Sequence, residues 1–472
     1  MTTRAAIAGG VSTAAFVLLL VALVVRLRVS EPNAEPAEAV TAAIDPSRPL
    51  SAGGYQGFLY GRITTGDGVT YEGRLRWGGN QEAFWDDYFN GAKDENPWGP
   101  HVPLARPSAE SRSFEIFGFR IGGQDRQNNL DRQFMARFGD IARITASFSK
   151  VQVTLKSGTM STLDRFAAGD MDDGVRVWDG RRGVVDLDAR QIRAIEFLPT
   201  APPATVPNRL HGTVRTRQGD FTGFIQWDRH DCVGTDELHG RIATGDIRLR
   251  YDTIRSIARR SPVSALVTLV DGREMVLADT REVGNGHRGI YIDDRRYGRV
   301  LISWDAFERL DFSDGGSGPA YPDFRPGRPL MGSVTTRHGR RIAGRLVYDV
   351  DESETTDTFD APAQGVEYYI PFRLIASIVQ DRSTPRASVI LHDGTELPLE
   401  RSGDLGEANA GVLIFSDGHP RPDHVPWGEV ERIDLDRPLD DRPTKIVSPA
   451  AAPPQSATRH GPRRTAAAAP LP

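Results

Sequence analysis

The sequence has little of what disulfide-bonded, zinc-binding or nucleic-acid-binding proteins depend on. It contains one cysteine, Cys232, so it can form no internal disulfide and no cysteine-based zinc cluster. Its 58 basic residues are outnumbered by 63 acidic ones. Because no excess of positive charge is available to neutralise phosphates, we do not expect a nucleic-acid partner.

Catalytic motifs are missing as well. The sequence contains no His-Glu-x-x-His, no Gly-x-Ser-x-Gly, no phosphate-binding Gly-x-x-x-x-Gly-Lys and no dinucleotide fingerprint. His230, Asp231 and Cys232 are adjacent, but neighbours on a strand point to opposite faces and do not meet as a dyad. The sequence therefore predicts no catalytic residue, no cofactor and no metal ligand.

One long hydrophobic run lies at the start of the chain. Residues 5–25 carry no charge and form a run that is long enough to cross a bilayer as a helix. We predict that residues 1–28 are a membrane anchor and that residues 29–54, rich in Pro, Ala and Glu, are a linker. A cleavable signal peptide is the alternative, because the small-residue spacing of Ala37 and Ala39 fits signal peptidase. Arginines on both sides leave the orientation open, and we expect an extracytoplasmic body.

The sequence is rich in residues that form turns, with 48 glycines and 32 prolines. A hairpin of alternating apolar and polar residues around a glycine turn occurs three times, beginning at Tyr60, His211 and Met331. A second hairpin follows in each case, at residues 151–163, 266–277 and 389–399. These matches define repeat 1, residues 55–199, repeat 2, residues 206–313, and repeat 3, residues 328–436. We expect strands to dominate residues 57–435.

A short signature closes both halves of each repeat. It consists of an aromatic residue, two residues, a large apolar residue, two residues and an aliphatic residue, and it predicts a strand, a 3₁₀ turn and a strand. Its recurrence predicts a buried core. The predicted core residues are Ile141, Ile144, Ile192, Ile195, Ile254, Ile257, Phe307, Leu310, Ile375, Ile378, Val430 and Ile433.

The second strand of the first hairpin, Gly223-Phe224-Ile225-Gln226-Trp227-Asp228, and the late strand ending in Ile resemble Sm-like and SH3-like small β-barrels. The resemblance implies an all-β fold of three tandem repeats, each a pair of small barrels. RNA binding by Sm-like proteins depends on a late Arg-Gly dipeptide. This sequence has Tyr251-Asp252 or Trp427-Gly428 there, so we do not expect it to bind RNA in that way. A six-bladed propeller is the competing architecture.

Repeat 1 departs from the others by an insertion, residues 94–137, and by an excess of aromatic residues. Long loops on a repeat scaffold are common sites of function, and clustered aromatics suit a sugar or a partner protein. Alternatively, the aromatic residues complete an enlarged core. In support of this alternative, the alternation of residues 114–121 predicts one further strand. The candidate interaction surface comprises Trp77, Phe84, Trp85, Tyr88 and Trp98.

An aspartate recurs at the start of one loop in each repeat, at Asp87, Asp236 and Asp357. Carboxylate oxygens could hold calcium there. An aspartate that begins a turn explains the same recurrence without a metal, and we favour that interpretation.

Three functions remain open. We favour a non-catalytic scaffold or binding protein of the cell envelope, with a protein or polysaccharide partner. A glycan-processing enzyme would need paired carboxylates among Glu82, Asp86, Asp87, Asp94 and Glu95. An oligonucleotide binder would need a basic face. The tail, residues 437–472, is rich in Arg, Pro and Ala, and we predict that it is disordered.

Overall fold

The computed structural model describes residues 55–438, with gaps at 79–80, 86–87, 103–113, 117–118, 122–132, 166–167, 203–207, 316–317, 381–382 and 385. The predicted anchor and linker, and all but two residues of the predicted tail, lie outside the described residues. Within the part that is described, no helix is long and apolar enough to cross a membrane. The described strands belong to one unit that ends at Asp436.

The described chain is all-β, as the sequence predicts. Its helical elements are short, because glycine turns interrupt the chain before a longer helix can form. They are one four-residue helix, α1 (Gly169–Asp172), and the 3₁₀ turns Gly99–His101, Phe138–Asp140, Tyr251–Thr253, Arg281–Val283, Tyr321–Asp323, Phe372–Leu374, Gly403–Leu405 and Trp427–Glu429.

The strands follow one plan in the three repeats. Repeat 1 contains β1 (Tyr60–Thr65), β2 (Thr70–Trp77), β3 (Tyr88–Ala92), β4 (Phe114–Ile116), β5 (Phe119–Ile121), β6 (Gln133–Arg137), β7 (Ile141–Ala146), β8 (Lys150–Leu155), β9 (Met160–Asp164), β10 (Val175–Asp179), β11 (Gly183–Leu187) and β12 (Ile192–Phe197). Repeat 2 contains β13 (His211–Thr216), β14 (Gly219–Gln226), β15 (Glu237–Ile242), β16 (Gly245–Arg250), β17 (Ile254–Ser261), β18 (Ser264–Leu269), β19 (Glu274–Ala278), β20 (Ile290–Asp294), β21 (Gly298–Ile302) and β22 (Phe307–Phe312). Repeat 3 contains β23 (Leu330–Thr336), β24 (Arg341–Tyr348), β25 (Thr358–Ala363), β26 (Val366–Pro371), β27 (Ile375–Val379), β28 (Arg386–Leu391), β29 (Glu396–Glu400), β30 (Val412–Phe415), β31 (Asp423–Val425) and β32 (Val430–Leu435).

The strand pairing crosses the predicted boundary between the two halves of a repeat. In repeat 2, β13 belongs to the first half but pairs with β14 and with β22, the last strand of the second half. Likewise β14 pairs with β20 of the second half. The resulting order is β16-β15-β19-β18-β17-β22-β13-β14-β20-β21. Strands of the first half therefore pair with strands of the second half as well as with one another.

Two groups of five strands emerge from this order. The outer strands of repeat 2 are β13, β14, β20, β21 and β22, and its inner strands, β15 to β19, are contiguous in sequence and inserted between β14 and β20. The pair β17 and β22 joins the two groups. Repeats 1 and 3 have the same outer strands in the orders β11-β10-β2-β1-β12 and β31-β30-β24-β23-β32.

The glycine that recurs in the second strand of each repeat is explained by a close approach of two strands. A Cβ at Gly73 would lie 1.9 Å from the carbonyl oxygen of Trp178, and a Cβ at Gly223 would lie 1.9 Å from that of Asp293. Any larger side chain would push β2 away from β10, or β14 away from β20.

The inner hairpins differ in how they attach to the rest of the fold. In repeat 3, β25 and β26 extend the sheet of repeat 2, because β26 pairs with β21 from Arg299↔Tyr369 to Ile302↔Val366. In repeat 1, β3 and β6 form a separate two-stranded sheet that a bridge between Lys93 and Leu163 connects to β9. Repeats 2 and 3 are therefore joined by backbone pairing as well as by side chains.

All twelve residues predicted for the core are buried, with at most 3% of each residue exposed. They lie in two large clusters, one in repeat 1 and one that runs through repeats 2 and 3. The prediction of a packing role for the closing signature is confirmed.

The insertion of repeat 1 differs from its prediction in two ways. Residues 114–121 do not form one strand, because β4 and β5 pair with each other. The last five residues of the predicted insertion form β6, which pairs with β3 as β16 pairs with β15. Those five residues therefore belong to the repeat.

Candidate interaction site of repeat 1

Trp77, at the end of β2, lies in the core of repeat 1. None of its surface is exposed, and its ring lies 5.4 Å from that of Phe89 and 5.3 Å from that of Phe138. Such centroid distances are those of packed aromatic pairs. Trp77 therefore contributes to the fold and to no accessible surface.

Phe84 and Trp85 pack against the segment that links repeats 2 and 3. Phe84 is fully buried, with its ring centroid 4.8 Å from that of Tyr321. Trp85 is half-buried, 5.8 Å from the ring of Phe324. The guanidinium of Arg137 lies 4.4 Å from the Trp85 ring centroid, a cation–π distance.

Tyr88 joins repeat 1 to repeat 2. It is 2% exposed, and Nη2 of Arg137 donates a hydrogen bond of 3.2 Å to its hydroxyl. The guanidinium of Arg299 in repeat 2 lies 4.6 Å from the Tyr88 ring centroid and 4.4 Å from that of Tyr291. Arg299 therefore contacts a tyrosine ring of each repeat, while Arg137 binds the hydroxyl of Tyr88.

Trp98 joins repeat 1 to repeat 3. It is half-buried, 5.7 Å from the ring of Phe415 and 5.1 Å from the guanidinium of Arg345. Beside it, Nδ2 of Asn96 donates to the carbonyl oxygen of Val350 at 2.9 Å. Lys93 forms an ion pair of 2.5 Å with Asp351. The insertion thus begins as a contact with repeat 3.

The five aromatic residues do not form the contiguous exposed patch that a binding surface requires. Three are in the core, and Trp85 and Trp98 are half-buried at contacts with different partners. Their excess in repeat 1 serves the junction of the three repeats. The interaction role of Trp85 and Trp98 stays a prediction.

Charged residues complete this junction, and the sequence alone does not single them out. Lys93 and Asp351 are partners across 258 positions, which local periodicity does not reveal. Lys156 donates to the carbonyl oxygen of Tyr321 at 2.6 Å and lies over its ring. Burial lowers the pKa of Lys156 to about 8. Burial also raises the pKa of Asp140, which lies close to Arg137.

The carboxylates considered for a glycan-processing enzyme have separate partners. Glu82 is 1% exposed and pairs with Arg74 at 3.2 Å and with Arg76 at 2.8 Å. Asp94 pairs with Lys150, and Glu95 is exposed. Asp86 and Asp87 lie outside the described residues. Of the three that are described, two form ion pairs and one faces solvent.

The recurring loop aspartates shape the backbone. Oδ2 of Asp236 accepts the N–H groups of Cys232 and Val233 at 2.9 and 3.1 Å. Oδ2 of Asp357 accepts those of Ser353 and Glu354 at 2.7 and 2.8 Å. These are the hydrogen bonds of an aspartate that fixes a turn. Cys232 itself is buried beside Phe58.

Comparison with known proteins finds no relative: no family model, no curated protein and no solved structure matches the chain. The fold and the junction define an all-β protein of three repeats joined by aromatic and charged contacts. The function is therefore argued from these contacts.

Proposed function

We propose that this protein is a non-catalytic scaffold of the cell envelope, whose β body is held at a membrane by residues 5–25. The proposal is carried by the aromatic residues of repeat 1 that lie outside its own core and by the described start of the insertion, because they contact repeats 2 and 3. A chain in which the residues that distinguish one repeat serve to join the repeats has the organisation of a structural protein.

The polar residues that recur between repeats support a structural role. Asp228 and Asp349 follow β14 and β24 at equivalent positions, with φ of 49° and 45°. Oδ1 of Asp228 accepts the N–H of Arg288 at 2.7 Å, and Oδ1 of Asp349 accepts the N–H of Ala410 at 2.5 Å. Each carboxylate satisfies the backbone at the start of the neighbouring strand.

The architecture we propose is a pair of Sm-like or SH3-like small barrels per repeat, formed by the outer and the inner strands. The strand order supports it: numbered along the outer group, the order in repeat 2 is 4-3-2-1-5, with the fifth strand beside the first. A 3₁₀ turn precedes the last outer strand of repeat 3, at Trp427–Glu429. Small barrels of this type share both features.

Surface charges support a protein or polysaccharide partner over nucleic acid. Arginines on the strands pair with aspartates two positions on, as Arg309 does with Asp311 at 2.7 Å and Arg432 with Asp434 at 2.6 Å. Across a hairpin, Arg176 pairs with Asp186 at 2.7 Å. Such pairing leaves a mixed-sign surface that does not attract a phosphate backbone.

The anchor is tested by substitutions in the hydrophobic run. Leu19→Arg with Leu20→Arg should release the protein from membranes washed with sodium carbonate, whereas Leu19→Ala with Leu20→Ala should leave it in the pellet. Proteinase K added to spheroplasts should digest the body of the wild-type protein. A body that resists digestion until the membrane is lysed would contradict an extracytoplasmic scaffold.

The non-catalytic part is tested with purified protein and peptidoglycan. We expect no release of reducing ends. Turnover that is abolished by Asp94→Asn or Glu95→Gln, with unchanged thermal stability, would overturn the proposal in favour of a glycan-processing enzyme.

A further inference from the structure

Three equivalent faces of the outer strands differ in what covers them. In repeat 2, Tyr291 and Leu301 pack with Tyr369 of repeat 3 and Met135 of repeat 1. In repeat 3, Val347 and Leu413 pack with Trp98 and Val102 of repeat 1. The first two faces are thus covered by other repeats.

The equivalent face of repeat 1 is covered in part only, by an ion pair of 3.5 Å between Arg76 and Asp236 of repeat 2. Its Arg76 and Arg176, which pair across β2 and β10 as Gln226 and Tyr291 pair across β14 and β20, line a cleft of about 710 Å³. Four aspartates, Asp172, Asp173, Asp186 and Asp188, also line the cleft.

The edge strand beside this cleft is also unpaired on its outer side. β11 corresponds to β21, since each begins with a glycine opposite an aspartate, Gly183↔Asp179 and Gly298↔Asp294. β21 pairs on its outer side with β26, whereas β11 ends its sheet within the described part of the chain. Val184 on β11 is 58% exposed, which is unusual for a valine on a strand.

Two strands of the type that fits such an edge end their sheets in the described residues, β6 of repeat 1 and β16 of repeat 2. Met135 of β6 already packs against repeat 2, which leaves β16. β16 is the equivalent of β26, since each is the second strand of an inner hairpin and precedes a 3₁₀ turn. β16 likewise ends its sheet in the described residues. β11 and β16 are therefore equivalents of β21 and β26 that each keep a free outer edge in the described residues, whereas β31, the equivalent of β11 in repeat 3, is only three residues long.

Charge distinguishes the two components. Four aspartates and two arginines line the cleft beside β11, a net negative face. The hairpin of β15 and β16 carries Arg241, Arg248 and Arg250 against Glu237 and Asp246. Opposite charge on the two surfaces favours their encounter.

We propose that the chain associates with a second copy of itself by pairing β11 of one copy with β16 of the other. The register of the β21–β26 joint, carried over residue by residue, places Val184 opposite Arg248 and Val185 opposite Ile247. It also places Asp186 opposite Asp246, and each of these already has an arginine partner in its own hairpin, Arg176 and Arg241. Because the two surfaces differ, the contact is heterologous and builds a ring or an open chain of copies.

Cross-linking between two differently tagged full chains tests the contact. One chain carries Val184→Cys and the other Arg248→Cys, while the native Cys232 is buried. Residues directly opposite on antiparallel strands have Cα atoms close enough for a disulfide. We expect a disulfide-linked heterodimer in the mixture and only monomer from each chain alone. No heterodimer, or equal amounts of homodimer, would overturn the proposal.

Replacing Val184 by a positively or a negatively charged residue gives a matched pair of variants. Both should fold, because this side chain is exposed. Val184→Lys would lie opposite Arg248 and should weaken association, and Val184→Glu should strengthen it, each by up to about fivefold in the association constant. Sedimentation equilibrium of the full chain in density-matched detergent measures both. A monomeric wild type, or the reverse order of the variants, would overturn the proposal.

Self-association would extend the scaffold beyond a single chain. Both measurements use purified protein, so their failure would leave the proposal of a membrane-anchored scaffold untouched, and release from membranes would not affect them.

Discussion

His287 of repeat 2 and Asn409 of repeat 3 occupy equivalent positions and accept the same backbone hydrogen bond. Nδ1 of His287 accepts the N–H of Gly289 at 2.9 Å, and Oδ1 of Asn409 accepts the N–H of Gly411 at 2.7 Å. Both glycines have positive φ, 105° and 97°, and lead into the strands β20 and β30. The position requires an acceptor, which two chemically different side chains provide.

We therefore expect His287→Asn to be tolerated better than His287→Leu. The leucine leaves the buried N–H of Gly289 without an acceptor, which costs about 1–3 kcal/mol. Both variants lose the stacking of the imidazole on Trp304, 5.1 Å away, so the difference between them isolates the hydrogen bond. Urea unfolding at pH 7.5 measures it, and equal losses of stability would contradict this role.

The stability that His287 contributes to the folded state should also depend on pH. Burial lowers its pKa to about 4, below the ordinary value of about 6.5 in an unfolded chain. The neutral histidine therefore contributes stability that is present above pH 6.5 and is lost as the pH falls towards 4. His287→Asn should weaken the acid sensitivity of the melting temperature in this range. An unchanged pH profile would show that His287 is not the titrating group.

Glu282 should act in the opposite direction. Burial, with the carboxylates Asp231 and Asp228 nearby, raises its pKa to about 7. Its folded pKa is above the unfolded value, so the folded state binds the proton more tightly, and the resulting stability is lost as the pH rises through 7. In the His287→Asn background, Glu282→Gln should flatten the decline in melting temperature between pH 5 and pH 8. A decline of unchanged slope would contradict the assignment.

The ion pair between Lys93 and Asp351 tests the contact of repeat 1 with repeat 3. Lys93→Met should destabilise the protein by about 3–5 kcal/mol, because it leaves the Asp351 carboxylate, with 6% of its side chain exposed, without its cation. The double variant Lys93→Met with Asp351→Leu should recover most of the loss. Urea unfolding of the two single variants and the double variant gives the coupling, and additive losses would mean that the pair does not interact.

Ile257 tests the core assignment in the central sheet. It is fully buried, and Ile257→Ala should reduce the free energy of unfolding by about 2–5 kcal/mol. Val270→Ala is the matched control, since Val270 is 51% exposed, and should change stability by less than about 0.5 kcal/mol. Similar effects of the two substitutions would mean that the closing signature does not mark the core.

Local pattern was sufficient to predict the hairpins, the core and most of the 3₁₀ turns. The closing signature predicted a 3₁₀ turn in all six half-repeats. The structure has ordinary turns at residues 189–191 and 304–306, and 3₁₀ turns at Phe138–Asp140, Tyr251–Thr253, Phe372–Leu374 and Trp427–Glu429. These features depend on residues a few positions apart, whose alternation and turn chemistry are visible in the sequence.

Long-range pairing was not predictable in the same way. β1 pairs with β12 instead of β7, and nothing in either strand distinguishes the two partners, because both end the same signature. The burial of Trp77, Phe84 and Tyr88 was not predictable for a related reason: aromatic residues in and beside a long loop look alike in sequence whether they cover a neighbour or face solvent. Trp77 is fully buried because Phe89 and Phe138 close over it.

The insertion of the inner strands between two outer strands imposes an order of events during synthesis. β13 leaves the ribosome early, but its partner β22 is the last strand of the repeat, and β14 must likewise wait for β20. The inner strands, which are contiguous, can meet as soon as they are made, and early local pairing is the faster process. Until β20 arrives, β13 and β14 form a lone hairpin with two open edges, and β13 keeps one open edge until β22 is made; open edges of this kind invite misassembly. The nascent chain is therefore most vulnerable just before each repeat is completed.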